Sequence, residues 1–271
     1  MDLAALFPSG AHRFHLTLRR VAPGDFFGPQ DTSGALLRER VRWIEADAAR
    51  YASGRSDAAR VVDEFLELAA GWGPGCDAAA RSVAATSGAA ARLAAIGGAF
   101  EPDILLLRRG ADGEFRLAAG ALCFPTGWAL EEKLGLTLDE IHGVVPGLNA
   151  ALAGTIRQFL DRLRPGSAYL RDNWGISAHA DLNQHPFRGL SGPQAPVDLG
   201  RLWLRVEHQA LVALPRAGGV LFGIRIANHR LDRLTGETAV LLREGLREMP
   251  EELAAYKRLT GVRAELIRRL T

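Results

Sequence analysis

Cysteine is nearly absent from this chain. Among 271 residues there are two, Cys76 and Cys123, with no C-x-x-C pair or other cluster. That count excludes a disulfide framework and a thiolate-ligated iron–sulfur centre. Glycine-rich phosphate loops are missing too. No G-x-G-x-x-G follows a strand pattern and there is no G-x-x-x-x-G-K-[ST], so nicotinamide, flavin and nucleoside triphosphate sites of the common kinds have no support. The G-x-S-x-G elbow of serine hydrolases is absent. Charge of one sign is not in excess: 33 basic against 31 acidic residues leave a formal net charge of +2. That balance gives no electrostatic case for nucleic acid or a membrane surface. No apolar run is long enough to cross a bilayer. The opening MDLAALFPSGAHRF has neither a basic start nor a long apolar core, so no signal peptide is predicted. Together these absences predict a soluble, cytoplasmic protein with no nucleic-acid or membrane partner.

What is present is ordinary globular material, 48% hydrophobic and 24% charged, enough to bury a real core. The first thirty residues read as extended chain broken at Pro8, Pro23, Gly24, Gly28 and Pro29. Apolar residues then recur at three- and four-residue steps. Leu37, Val41, Ile44, Ala48 and Tyr51 mark one helix, a second runs from about Ala58 to Trp72, and an alanine-rich third spans roughly Cys76 to Ile96. From Asp103 the period changes. DILLLRR, a Gly110–Gly113 turn and the alternating Phe115–Phe124 run predict a β-hairpin. An irregular stretch follows, then a helix over Leu148–Leu163, a strand from Tyr169 to Trp174, and a hairpin over Leu202–Asn228 turning at Pro215–Gly219. Helix starts are expected at Thr235 and Pro250. Strands without regular βα alternation predict an α+β fold with one antiparallel sheet. The expected organisation is a single domain over residues 1–271: a helical part to about 100, a core over about 101–230, and C-terminal helices over 235–271. Hairpin, helical turns, then three strands is also the element order of a PAS-type domain.

The stretch CFPTGWALEEKLGLTLDEIHGVVP, Cys123 to Pro146, gathers Cys123, Trp128 and His142 between prolines, with a short helix expected from Trp128 and a second turn presenting His142. Irregular segments braced by rigid elements are where functional residues concentrate. No second histidine or carboxylate stands at a zinc-like spacing from His142, but one histidine suffices as the proximal ligand of a b-type haem. His179-Ala-Asp181 with His185 reads as a polar loop. Cys123, in an apolar strand, reads as a small core residue. On the strand from Leu202, two-residue spacing puts Arg205, Glu207 and Gln209 on one face. A symmetric turn would set Gln209 near Arg225 and Arg205 near His229. That face is either a solvated outer surface or the wall of a ligand pocket, and its charge is unusual for a core.

Four segments carry a resemblance: VRWIEADAARYASGRSDAARVV, LCFPTGWALEEKLGLTLDEIHGVVP, the tripeptide Asp172-Asn173-Trp174, and RLWLRVEHQALVALPRAGGVLFGIR. In this order, from Trp43 to Arg225, they are similar to the haem-dependent oxidative N-demethylase family. The resemblance implies a PAS-like, haem b-binding core with iron held at one axial protein ligand. It implies a monooxygenase-type oxidoreductase that uses dioxygen to remove a methyl group from a small secondary amine such as dimethylamine and releases formaldehyde. A separate reductase with flavin and an iron–sulfur centre would supply electrons, and tetrahydrofolate is a candidate acceptor for the formaldehyde. Within Ile141–Pro146, His142 is the candidate axial ligand. Arg205, Glu207 and Gln209 are the candidate catalytic set, and Arg225, Trp128, Asn173 and Trp174 the candidate cofactor contacts, with Arg205 or Arg225 suited to a haem propionate. His208 and Gly143 stand where the family pattern leads one to expect other residues. Two other classes share these features: a haem-based sensor without turnover, and a haem-free protein holding a small ligand in the same pocket.

Overall fold

The hydrophobic period switches at Phe100–Asp103, and the backbone switches with it. The computed structural model describes residues 3–7, 14 and 17–270; Pro8, expected as a breaker, lies outside them. A three-residue strand, β1 (Arg19–Val21), precedes a short helix α1 (Pro23–Phe27). Helices α2 (Ala35–Ala46) and α3 (Ala48–Tyr51), strand β2 (Ala52–Gly54), and helices α4 (Ala59–Ala70), α5 (Pro74–Ala84) and α6 (Ala89–Ala99) follow. The hairpin is β3 (Asp103–Arg109) and β4 (Phe115–Ala121). Then come α7 (Leu138–His142), α8 (Leu148–Asp161), β5 (Ala168–Ser177), β6 (Trp203–Leu214) and β7 (Gly219–Arg230). Helices α9 (Gly236–Glu248), α10 (Glu251–Tyr256) and α11 (Arg263–Arg269) close the chain.

Two expectations are corrected here. The alanine-rich segment is two helices, α5 and α6, because Gly88 takes φ +90° at the start of α6, a conformation no helix interior contains. No helix starts at Trp128. That residue lies in an irregular loop, and turns over residues 131–135 lead instead into α7. Strands β1 and β2 were not foreseen. Each is three residues long and finds its place only by pairing at a sheet edge.

The sheet has seven strands in the order β1-β5-β6-β7-β3-β4-β2, with antiparallel neighbours throughout. The α+β class with one antiparallel sheet is therefore the observed one. Helices α4–α6 cover one end of one face. Val61, Phe65, Ala69, Val83 and Ile96 pack there on Ile104, Leu106, Ala210, Val212 and Leu221. Gly97 lets α6 come close: a Cβ there would lie 2.4 Å from Ile44 Cδ1 and 3.2 Å from Ala121 Cβ. Helices α9–α11 cover the other end of the same face, burying Leu242, Leu246, Leu253 and Leu266 against Leu204, Val206 and Ile176. Burying a side chain of this size stabilises by about 1.5–3 kcal/mol.

The second face carries the segment between the hairpin and β5. Its apolar cover is incomplete. Leu105, Leu107, Leu117, Leu122, Leu130 and Leu160 are buried, but Trp128, Ile141, Phe159, Leu211, Phe222 and Ile226 stay half-buried. No helix among the described residues is long and apolar enough to cross a membrane.

Candidate functional site

Cross-strand register decides which side chains meet on the second face. In β6, Glu207 pairs with Asn173 of β5 and Ile226 of β7, and Gln209 pairs with Arg171 and Ile224. Directly opposed residues share a face, so Arg171, Asn173, Glu207 and Gln209 form one polar patch flanked by Ile224 and Ile226. Glu207 is 8% exposed and Gln209 also 8%. The Glu207 Oε2 accepts Gln209 Nε2–H at 2.9 Å and Asn173 Nδ2–H at 3.3 Å. Among the described residues no cation stands within ion-pair distance of Glu207. It is a buried carboxylate held by two neutral amides, an arrangement that fixes its position and leaves it without a direct ion pair, although Arg171, Arg205 and Lys257 are near enough to feel its charge.

Arg205 faces the same way, is 1% exposed, and has a different task. Its Nε–H donates to Thr126 Oγ1 at 2.9 Å and its Nη1–H to Asp181 O at 3.1 Å. Its Nη2 reaches Phe124 O at 3.0 Å, Pro125 O at 3.3 Å and Leu182 O at 2.7 Å. The guanidinium is thus consumed in fastening two loops, 124–126 and 181–182, to the sheet. The same loops pair through Gln184 N–H to Pro125 O and Gly127 N–H to Gln184 O, both at 3.0 Å. Burial lowers the Arg205 pKa to about 10, with Glu207 and Asp103 opposing. Arg205, Glu207 and Gln209 are buried as expected, and Leu204 and Val206 face the C-terminal helices; His208, expected beside them, is half-buried and lies with its Nδ1 2.6 Å from Asp172 Oδ1.

His142 ends α7, a helix of five residues that exists because its start is doubly capped. Thr137 Oγ1 accepts Glu140 N–H at 3.2 Å, and the Glu140 carboxylate accepts Thr137 N–H at 2.7 Å. Leu117 N–H to Leu136 O, at 3.1 Å, ties this start to β4. Asn149 Nδ2–H caps the other side on Asp139 O at 2.8 Å. The His142 ring is half-buried and, among the described residues, makes no hydrogen bond. Burial lowers its pKa; Arg171 lowers it further and Asp139 opposes. The imidazole is therefore neutral at pH 7, with a lone pair free to bind. Arg171 links His142 to the sheet patch: it acts on the His142 ring and is itself acted on by Glu207.

Other candidates fall elsewhere. Arg225 does not lie near Gln209. The turn between β6 and β7 is four residues, Pro215–Gly218, so Gln209 meets Ile224, and Arg225 stands opposite His208 on the other face. There its Nη1–H donates to Glu101 at 2.6 Å, its Nη2–H to Gly28 O at 2.6 Å and its Nε–H to Phe26 O at 2.8 Å. Arg205 likewise meets Asn228, and His229 meets Leu204. Trp174 also points to the first face, with its ring 5.0 Å from that of Phe7. Trp128 is half-buried in the apolar lining of the second face, and Asn173 holds Glu207. The Cys123 thiol is pushed up to about 12 by burial, which suits a core residue and not a nucleophile. His185 is satisfied: its Nδ1 accepts Phe187 N–H at 3.1 Å, and Glu131 lies 3.3 Å from its Nε2. No group of three His, Cys, Asp or Glu fit to hold a metal ion occurs among the described residues.

Two residues escaped the sequence reading: Arg171 at this site, and Lys257 at the sheet edge, near enough to feel the Glu207 charge. Lys257 follows α10, and its Nζ–H donates to Trp174 O at 2.5 Å on the open edge of β5. Burial lowers its pKa to about 8, with Glu207 pulling the other way. A signal for it was available: the chain has 31 arginines but only two lysines, Lys133 and Lys257.

The second face thus combines an incompletely covered apolar wall with a buried carboxylate and a half-buried imidazole that makes no hydrogen bond among the described residues. Residues 75–267 match the family model described as haem-dependent oxidative N-demethylase, alpha subunit-like. The match spans most of the chain, and the protein belongs to that family.

Proposed function

We propose that this chain is a haem b protein that oxidatively removes a methyl group from a small secondary amine, with electrons from a separate reductase. The observation that carries the reading is His142, a half-buried imidazole that makes no hydrogen bond among the described residues, whose neighbour Ile141 belongs to the half-buried apolar lining, in a segment covered by the family match. A haem needs one such nitrogen, an apolar surface for its ring and a cation for its carboxylates, and the residues present fit all three. His142 would hold the iron. Trp128, Ile224 and Ile226 offer apolar surface, and Arg171 is a cation on the same face with no ion pair among the described residues.

The haem supplies the electron-transfer and dioxygen chemistry. The overall change balances as amine plus dioxygen, two electrons and two protons to demethylated amine, formaldehyde and water. Dioxygen is reduced, and the methyl carbon is oxidised. In this reading both electrons come from the separate reductase, in keeping with a chain whose two cysteines, Cys76 and Cys123, form no iron–sulfur ligand set. Glu207 is the group suited to an alkylammonium, because among the described residues no cation pairs with it directly. Asn173 and Gln209 keep the carboxylate oriented, so that it can receive a proton when the carbinolamine O–H is lost and the C–N bond breaks. Arg205 acts at one remove, holding the 124–126 loop that leads to Trp128. Tetrahydrofolate as formaldehyde acceptor belongs to the same reading.

The test is reconstitution with haem b, followed by formaldehyde assay over a panel of methylamines with a chemical or enzymatic reductant. A Soret band lost or strongly shifted in His142→Ala, and formaldehyde from at least one methylamine, are expected. Glu207→Gln should reduce amine turnover more than haem binding. An unchanged spectrum and haem affinity in His142→Ala removes His142 from the role. Reversible dioxygen or carbon monoxide binding with no formaldehyde from any amine selects the sensor class instead.

A further inference from the structure

Three arginines stand on the central strands near this patch, and two are fully engaged. Arg205 is spent on five oxygen acceptors, four of them backbone carbonyls. Arg225 is spent on Glu101 and two carbonyls on the far face. Arg171 has only the longer-range pull of Glu207 and Asp172. Half-buried on β5, it makes no hydrogen bond and no ion pair among the described residues. Its neighbours cannot serve it. Gln209, directly opposite, donates its amide to Glu207. Asp172, adjacent in sequence, points to the other face, where its carboxylate lies 2.6 Å from His208 Nδ1. Glu207 stays beyond ion-pair distance, held by two amides. The guanidinium is half-buried and its nitrogens stay in reach of solvent and so of a ligand, and its planar pair of donors matches a carboxylate.

We propose that Arg171 receives a carboxylate on this incompletely covered face, diagonal to Glu207 on the same wall. The inference rests on the functional reading above and names two sources of one chemistry. One is a propionate of the haem. The other is the carboxylate of an N-methyl amino acid whose ammonium lies on Glu207, which would extend the substrate class from simple amines to zwitterions. A cation and an anion that make no ion pair with each other, diagonal on one wall, suit the two ends of such a zwitterion.

Arg171→Gln is compared with wild type in two equilibrium measurements. The first is spectroscopic titration with haem b and with its dimethyl ester. Wild type preferring the free acid at least tenfold, with the preference abolished in the variant, assigns Arg171 to a propionate. The second is calorimetric titration with N-methylglycine and with dimethylamine. A tenfold or greater loss for N-methylglycine alone in the variant assigns Arg171 to the substrate carboxylate. Arg171→Lys, which keeps the charge but not the fork, should show a smaller loss in whichever arm responds, and it serves if the glutamine variant does not fold. Failure of wild type to bind either porphyrin refutes the haem reading, while the calorimetric arm still decides Arg171. Unchanged ligand preferences in the variants, or no binding of either carboxylate probe, overturns the proposal.

Discussion

Arg40 and Asp103 form an ion pair at 2.7 Å with both side chains closed off from solvent, at 0% and 1% exposure. The Asp103 carboxylate also accepts the backbone N–H of Cys123 at 2.6 Å and of Phe124 at 3.1 Å, while Arg40 Nε–H donates to Gly97 O at 2.7 Å. Helices α2 and α6, strand β3 and the loop after β4 thus meet at one charged junction. Breaking a buried pair from one side strands the other charge, at about 3–5 kcal/mol. Asp103→Asn and Arg40→Met are each expected to cost about that much. The double variant should cost less than their sum, which urea unfolding of all four proteins measures.

Beyond that junction Arg205 takes over, clamping Phe124–Thr126 to Asp181 and Leu182. Lysine cannot reproduce a fork that reaches five acceptors. Arg205→Lys is therefore expected to free both loops: hydrogen exchange at the Gly127 and Gln184 amides, which pair the loops, should accelerate by an order of magnitude or more. Exchange in β3, whose amides the clamp does not touch, should hardly change. Equal acceleration everywhere would mean that Arg205 supports global stability alone.

How far the sequence could be read depended on the element. Long periodic segments such as α4, with Val61, Val62, Phe65 and Ala69 inward, and the β3–β4 hairpin announce themselves by period. The inward face of Arg205, Glu207 and Gln209 follows from two-residue spacing. Their partners do not. Ala217-Gly218-Gly219 offers two glycines for the left-handed turn position, and the chain uses Gly218 at φ +62°. Choosing the other slips the register by one residue and carries Arg225 across the sheet. Arg171 was hidden for another reason: its significance lies in having no partner, which only the packed structure can reveal. Edge strands β1 and β2 have no period of their own at three residues.

The helices of the first hundred residues should not separate from the sheet. Phe65, Val83 and Ile96 share one buried cluster with Ile104, Leu106, Val212 and Leu221. Removing the helices would expose a contiguous apolar face far larger than a soluble monomer tolerates. Limited proteolysis is accordingly expected to give no stable folded fragment beginning near Glu101, and a fragment of residues 101–271 expressed alone should aggregate. A soluble, cooperatively unfolding fragment would show that the helices are a separate unit.

Lys257 makes stability depend on pH in an alkaline window. An ordinary lysine titrates at 10.5, and burial brings Lys257 to about 8. As pH falls from 10.5 towards 8, the unfolded chain takes up a proton that the folded chain still refuses, so folding loses stability through that interval and levels off below it. Lys257→Met removes the titration along with the bond to Trp174 O. Relative to wild type, the variant should therefore gain as pH falls through the window, by on the order of 1–3 kcal/mol once partial solvent exposure is allowed for. Glu207 works against burial at this site, so Glu207→Gln should push the Lys257 pKa lower still and shift the lower edge of the window the same way. Urea midpoints taken at half-unit steps from pH 7 to 11 for the three proteins measure both effects. Parallel curves for wild type and Lys257→Met would show that Lys257 titrates like a lysine in water.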